Sequence, residues 1–364
     1  MHKIALFIPN LNGGGAERAF VNLANGFTEF GFQVDLILAQ QKGVYFDELS
    51  SLVNIYYLKA QGFKNMIRPL VTYLRTVKPM VLISALENAN LASVIARSLS
   101  GVNVKLILTE HSTPSLYYRN YRKILVRSFP TWGRFFYQCS DKVVGVSKGV
   151  AHELVEVMKI PKDKITFIPN PVVTPKLFKL SQNDPGHPWF HSEEIPVILN
   201  VGRLTKEKDH ETLLSAFCRV LRERSARLLI VGEGEERSRL QNLVRSFGLV
   251  KDVDFIGFSN NPFAYMKRAA VFVLSSRLEG LGNVLIEAMA LGTPIVSTDC
   301  PYGPSEILAK GRYGRLVPVG DSNSLAQAIL ETIDNPIIPP EEAWKQYQYD
   351  RVTKKYLDLL KTIN

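Results

Sequence analysis

Glu279 and Glu287 stand with seven residues between them in the stretch Arg277 to Thr298, RLEGLGNVLIEAMALGTPIVST. Gly280 and Gly282 interrupt the apolar pattern, and Asn283 reads as the N-cap of a helix carrying Val284, Leu285, Ala288 and Met289. Glu279 is thereby placed in a loop and Glu287 one turn into the helix. Amide N–H groups at such a helix start, from Asn283 to Leu285, suit a phosphate. A carboxylate beside that phosphate would be repelled by it, so Glu287 is read as an acceptor for the hydroxyls of a sugar ring. A phosphate position next to a hydroxyl-binding position is what a nucleotide-sugar needs. Further candidates lie upstream: the cations Arg203 and Lys208 in VGRLTKEK, His111 in Glu110-His111-Ser112, and the run Gly13-Gly14-Gly15.

These residues all follow short apolar runs. Ala270 to Leu274 reads as a buried strand ahead of Glu279, and Ile295-Val296 opens another after Gly292 and Pro294 end the helix. In the first half, strands are expected at Ile4–Ile8, Val34–Leu38, Met80–Ser84, Val104–Leu108 and Lys142–Val146. A helix is expected at 16–27, with Ala16, Ala19, Phe20, Leu23, Ala24 and Phe27 on one face. The second half repeats the alternation, with strands at Val197–Val201, Arg227–Val231, Val253–Ile256 and Val271–Leu274. Its helices are expected at 209–223, 234–247 and 283–291, and closing helices at Asp321–Thr332 and Pro340–Lys361. Two doubly wound α/β domains follow, and ligands of such sheets bind beyond the carboxyl ends of the strands. The expected divisions are 1–171, a proline-bearing linker at 172–195, and 196–344, with 345–364 returning to the first domain. Gly232-Glu233-Gly234 lacks the third glycine of a dinucleotide fingerprint and reads equally as a tight turn. Ser147, at another strand end, is a weaker site candidate.

The E-x7-E within EGLGNVLIEAMALGTPIVST resembles the donor-site motif of the retaining glycosyltransferases of family 4, which have the GT-B fold. Five companion stretches in the family's order support the resemblance: GGGAER (13–18), EHS (110–112), IPNP (168–171), VGRLTKEKDHETLL (201–214) and VGEGEERSRL (231–240). It covers nearly the whole chain and implies two Rossmann-like domains facing a cleft. It also implies roles. Gly14 and Gly15 would close over the donor diphosphate or the acceptor, and His111 would sit near the transferred sugar. Arg203 and Lys208 would counter the diphosphate, where charge builds as the sugar leaves, in a metal-independent reaction without a cofactor. Gly257, in Ile256-Gly257-Phe258, would hold the base through the backbone. Glu287 would take the ribose hydroxyls and Glu279 those of the transferred sugar, while Leu281 to Val284 would offer amides. Gly282 departs from the family pattern, where proline or another residue is frequent.

Composition bounds the rest. The 364 residues suffice for two cores, and no apolar run approaches a membrane span. The N-terminus carries no cleavable signal pattern, and three dispersed cysteines, Cys139, Cys218 and Cys300, fit a reducing cytoplasm. The net charge of +10 is lopsided: residues 1–184 carry 22 Lys/Arg against 12 Asp/Glu, and residues 185–364 carry 22 of each. Residues 117–137 mix Arg119, Arg122, Lys123, Arg127 and Arg134 with large aromatics. Residues 64–78 set Lys64, Arg68, Arg75 and Lys78 around Met66, Ile67, Leu70, Val71 and Leu74. Basic segments of this kind suit the anionic inner face of a membrane, and no nucleic-acid-binding module accompanies them; the alternative is that their large apolar residues are ordinary core and only the charges lie outside.

The expectation is a cytoplasmic, membrane-peripheral retaining transferase. It would move a hexose or N-acetylhexosamine from a nucleoside diphosphate sugar, a UDP-sugar foremost, to a glycan or lipid-linked glycan. A nucleotide-sugar hydrolase and a non-catalytic carbohydrate- or nucleotide-binding protein remain as alternatives. A nicotinamide oxidoreductase is disfavoured, because no G-x-G-x-x-G follows a strand.

Overall fold

The computed structural model of the chain describes residues 3–115, 129–191 and 194–363. It forms two compact units, Met1–Val172 with Tyr347–Asn364, and Val173–Gln346.

The first unit is built on seven parallel strands: β1 (Lys3–Ile8), β2 (Gln33–Leu38), β3 (Val53–Tyr57), β4 (Val81–Ala85), β5 (Lys105–Glu110), β6 (Lys142–Gly145) and β7 (Ile165–Phe167). Their order is β3-β2-β1-β4-β5-β6-β7. Ile4 to Ile8 are fully buried, which is why this strand reads as an unbroken apolar run rather than an alternating one. Helix Gly15–Glu29 follows β1 and buries the face anticipated for it, from Ala16 to Phe27. The strand order reverses between β1 and β4, so the glycine loop after β1 opens at the switch point of the sheet.

The second unit repeats this plan with β8 (Val197–Val201), β9 (Arg227–Val231), β10 (Val253–Gly257), β11 (Val271–Leu274), β12 (Ile295–Thr298) and β13 (Arg315–Val317). The order is β10-β9-β8-β11-β12-β13, all parallel, with the reversal between β8 and β11. Both sheets therefore have the doubly wound α/β form expected from the sequence.

Three strands were not anticipated: β3, β7 and β13. Each is an edge strand, and each is only partly buried. The proline-bearing stretch after residue 172 holds a helix, Pro175–Ser181, with Thr174 as its N-cap, and a 3₁₀ turn at Pro188–Phe190. Pro340–Lys361 is not one helix. Helix Glu341–Trp344 gives way to a 3₁₀ turn at Lys345–Tyr347, and a new helix runs from Tyr349 to Lys361. The break lies where the chain passes between units: Trp344 packs on Phe178, whereas the Tyr347 carbonyl accepts from the Val172 N–H at 3.0 Å.

The last helix packs on helix Gly15–Glu29. Gly26 lets it approach so closely that a Cβ there would lie 2.2 Å from Thr353 Oγ1. Phe27 meets the Tyr356 ring edge-on, and the Tyr349 hydroxyl donates to Glu29.

The apolar residues of segment 64–78 correct one expectation. Met66, Leu70 and Leu74 are core residues of the first unit, with Ile67 and Val71 packed against them. Its exposed side chains are Lys64, Arg68, Arg75 and Lys78 with the polar Asn65, Thr72 and Thr76, so this helix offers charge and polar groups rather than an apolar face. Most of segment 117–137, including Arg119, Arg122, Lys123 and Arg127, lies outside the described residues. Among the described residues no helix is long and apolar enough to cross a membrane.

Candidate active site

In the second unit the sheet reversal brings two loops together. β8 and β11 pair directly, so the segments after them, Gly202–Asp209 and Ser275–Gly282, run side by side. Ser275 Oγ donates to the Lys208 carbonyl at 2.8 Å, and the Arg277 N–H donates to the Glu207 carbonyl at 2.7 Å. The Arg277 guanidinium pairs with Asp209 at 2.9 Å. Lys208 Nζ reaches Glu279 Oε1 at 2.5 Å, and Ser276 Oγ donates to the same oxygen at 2.6 Å. Ser276 is in turn fixed through its carbonyl, which accepts from Thr298 Oγ1 at 2.6 Å. Lys208 and Glu279, 71 positions apart in the chain, thus form one ion pair. Arg203 lies on the first of these loops with its side chain exposed, and it pairs with no described residue.

The helix after Glu279 spans Asn283–Ala290, and its N-cap is Gly282, not Asn283. Gly282 adopts φ 93°, ψ 57°, a left-handed conformation that glycine takes without strain and that a side chain would resist. Asn283 and Val284 are therefore the first two helical residues, and their amides belong to the turn that has no intrahelical carbonyl to reach. The Leu285 N–H is engaged by the Gly282 carbonyl at 3.0 Å. Glu287 is 4% exposed on this helix. Gly303, which the sequence did not single out, supports the loop from below: a Cβ there would stand 2.0 Å from the Leu281 carbonyl oxygen.

Gly257 ends β10 at φ 79°, and its carbonyl accepts from the Gly232 N–H at 2.8 Å. A Cβ on Gly232 would collide with the Gly202 carbonyl oxygen, and one on Gly234 would lie 2.2 Å from that of Leu204. The glycines of VGEGEE therefore permit close backbone stacking of three neighbouring loops, as a tight turn requires.

In the first unit, the loop after β5 stands on a buried polar network. Glu110 Oε1 accepts from Ser112 N at 3.1 Å and Ser112 Oγ at 2.7 Å, while Oε2 accepts from the Tyr137 hydroxyl at 2.7 Å. Tyr137 accepts from Asn90 Nδ2 at 3.1 Å. Burial raises the Glu110 carboxyl above its ordinary range, against these bonds. Its part in the EHS triplet is to shape the turn. His111 sits on that turn, its ring edge-on to Phe20 of helix Gly15–Glu29 at 6.1 Å. Burial lowers its pKa to about 4, so the ring is neutral at physiological pH. Gly14 is the N-cap of the same helix, ahead of Gly15, and a Cβ on it would lie 2.2 Å from the Glu17 carboxylate. Ser147, by contrast, is fully buried and caps helix Lys148–Glu156 by accepting from Val150 N at 3.1 Å.

The structure thus groups Gly14, Gly15 and His111 within one unit, and Arg203, Lys208, Gly257, Glu279, Gly282, Asn283, Val284 and Glu287 at the strand ends of the other. Ser276, Asp209, Arg277 and Thr298 escaped the sequence reading. Local signals exist for three of them: Ser276 follows a strand, Thr298 ends one, and Asp209 caps helix His210–Glu223.

Comparison with known proteins is consistent across both units. The model described as Glycosyltransferase Family 4 matches residues 13–175, and that described as Glycosyl transferases group 1 matches residues 187–351. An uncharacterised glycosyltransferase of Methanocaldococcus jannaschii is 32% identical over 245 residues, covering 65% of this chain and 59% of that protein. Campylobacter jejuni N-acetylgalactosamine-N,N'-diacetylbacillosaminyl-diphospho-undecaprenol 4-alpha-N-acetylgalactosaminyltransferase is 29% identical over 351 residues, covering 92% and 91%. A glycosyltransferase crystal structure from Rickettsia africae superposes with a TM-score of 0.77 at 20% identity, covering 100% of this chain and 98% of that one. With its two parallel doubly wound units and both of its halves matched, the chain belongs to the family 4 glycosyltransferases of GT-B fold.

Proposed function

We propose that the chain is a retaining glycosyltransferase. It moves a hexose or N-acetylhexosamine from a UDP-sugar to a hydroxyl of a glycan or lipid-linked glycan. The observation that carries this reading is the Lys208–Glu279 pair beside the start of helix Asn283–Ala290. Cleaving the bond between sugar and nucleotide leaves negative charge on the terminal phosphate. Lys208, Arg203 and the first-turn amides of Asn283 and Val284 are the groups aimed at that charge. Once the diphosphate engages Lys208, Glu279 is released to accept hydroxyl hydrogen bonds from the transferred sugar. Glu287 takes the ribose hydroxyls, and Gly257 the base through its backbone.

Retention fits the state of Glu279. With Lys208 turned to the diphosphate, Glu279 Oε1 still accepts from the Ser276 hydroxyl, and a carboxylate held by that bond and by sugar hydroxyls is a poor covalent nucleophile. The acceptor hydroxyl then attacks from the face the nucleotide leaves, giving its proton to the departing phosphate oxygen. The acceptor class is suggested by the Campylobacter relative, whose name specifies a diphospho-undecaprenol-linked saccharide. The surplus of cations in residues 1–184 supports work at an anionic membrane surface, on its inner face.

The test is a screen of UDP-, GDP- and ADP-sugars by nucleotide release, with and without membrane extract and with and without a chelator. One UDP-sugar should be consumed, faster with extract and undiminished by the chelator, and the product glycoside should keep the donor's anomeric configuration. Release of free sugar alone would make the protein a hydrolase. Binding of nucleotide without turnover would make it a binding protein.

A further inference from the structure

Thr109, the residue before Glu110 on β5, makes two contacts through one oxygen. Its Oγ1 lies 2.9 Å from the Ser84 carbonyl oxygen and 3.1 Å from His111 Nε2. A hydroxyl has one hydrogen, and a carbonyl oxygen can only accept. The hydrogen therefore goes to Ser84, because pointing it elsewhere would leave two lone pairs facing each other at 2.9 Å. Thr109 Oγ1 then meets the ring as an acceptor, and the proton on that side belongs to His111 Nε2.

We propose that Thr109 is a positioning residue for the transfer reaction: it holds His111 in the Nε2-protonated tautomer, so that Nδ1 accepts a hydrogen bond from a substrate sugar hydroxyl. This rests on the reading that His111 belongs to the substrate site. Nδ1 is buried and has no hydrogen-bond partner among the described residues, an unmet acceptor that a hydroxyl donor would satisfy. Phe20 against the ring limits its rotation. The low pKa, from burial, agrees with a ring that stays neutral. His111 is thus an oriented acceptor, and a hydroxyl is the complementary ligand where an anionic oxygen is not.

The test combines spectroscopy and kinetics on the full chain. With ¹⁵N-labelled histidine, and His111 assigned from its absence in His111→Gln, long-range proton–nitrogen spectra should show the proton on Nε2. Thr109→Val, which keeps the shape and removes the acceptor, should give mixed tautomers, and Thr109→Ser should restore the single one. With the UDP-sugar selected by the screen above, Thr109→Val should lower kcat/KM about tenfold, the scale of one hydrogen bond, with inhibition by UDP unchanged. Thr109→Ser should recover it. A proton on Nδ1 in the unaltered protein overturns the proposal, as does an unchanged tautomer in Thr109→Val. A scrambled tautomer with unchanged kinetics overturns the role of Thr109 alone. Full activity in His111→Gln overturns the placement of His111 in the site.

Discussion

Lys208 neutralises Glu279 in the free protein, so a bound diphosphate has to compete with a carboxylate for the same ammonium. The two glutamates of the E-x7-E motif should therefore respond differently to loss of charge. Glu279→Gln removes the competitor: affinity for UDP alone should hold or rise, while transfer falls by roughly 10²–10³, the scale of one lost transition-state contact. Glu287→Gln, in a position only 4% exposed on the helix that would carry the ribose, should weaken UDP itself. Calorimetry with UDP and a nucleotide-release assay separate the two. Equal losses of UDP affinity in both variants would mean that the hydroxyl-binding roles are wrongly divided. Ser276 shows how far sequence reading reaches at this scale. Charge at the end of an apolar run is a local signal, and it makes Lys208 and Glu279 candidates, while Glu287 is a candidate from its place one turn into the expected helix. That Lys208 and Ser276 meet on one carboxylate oxygen depends on β8 pairing with β11, which no local pattern encodes.

The elements divide in the same way. Strands covered on both faces, such as β1, β5 and β8, announce themselves as continuous apolar runs. The three that escaped, β3, β7 and β13, each close one edge of a sheet, where half-exposed residues dilute that signal. Helix starts misled for a related reason. Asn283 is a good capping residue, but the chain enters the helix through a left-handed turn, so the glycine before it takes the cap. Two glycines near this turn should then differ in what a methyl group costs. At Gly282 the nearest atom to an added Cβ is Leu285 Cδ1 at 3.5 Å, so Gly282→Ala bears only the left-handed backbone, about 1–2 kcal/mol. At Gly303, φ 103°, the Cβ would lie 2.0 Å from the Leu281 carbonyl, a backbone atom. Gly303→Ala should cost a further 1–3 kcal/mol or so, as overpacking does, and should distort the loop that carries Glu279. Urea unfolding of both variants measures the difference. Equal costs would show that the approach of residues 281 and 303 is not the constraint.

For the molecule as a whole, charge is the property that the fold leaves unexplained. The excess of +10 lies entirely in residues 1–184, and the core of the first unit absorbs the apolar residues of 64–78 while leaving Lys64 and Arg68 exposed. The exposed apolar side chains Leu99 and Phe135 belong to that unit too, and the Arg134 guanidinium lies over the Phe135 ring at 4.8 Å. An anionic lipid surface suits this combination: each Lys or Arg near it contributes about 1 kcal/mol, within a Debye length of about 10 Å at 0.1 M salt. Binding by charge, with little apolar insertion, should be steeply salt-dependent. We expect the protein to sediment with vesicles containing phosphatidylglycerol at low salt, less at moderate salt, and not with neutral phosphatidylcholine vesicles. Replacing Arg119, Arg122, Lys123, Arg127 and Arg134 by glutamine should remove about 5 kcal/mol of attraction and release the protein, with UDP affinity unchanged. Replacing Lys64 and Arg68 should weaken binding less, since two charges are lost instead of five. Indifference of the unaltered protein to anionic vesicles, or equal binding by the five-fold variant, would turn the basic surface to another purpose. A pyrophosphate-bearing acceptor, drawn in by the same cations, would then be the ligand to titrate against it.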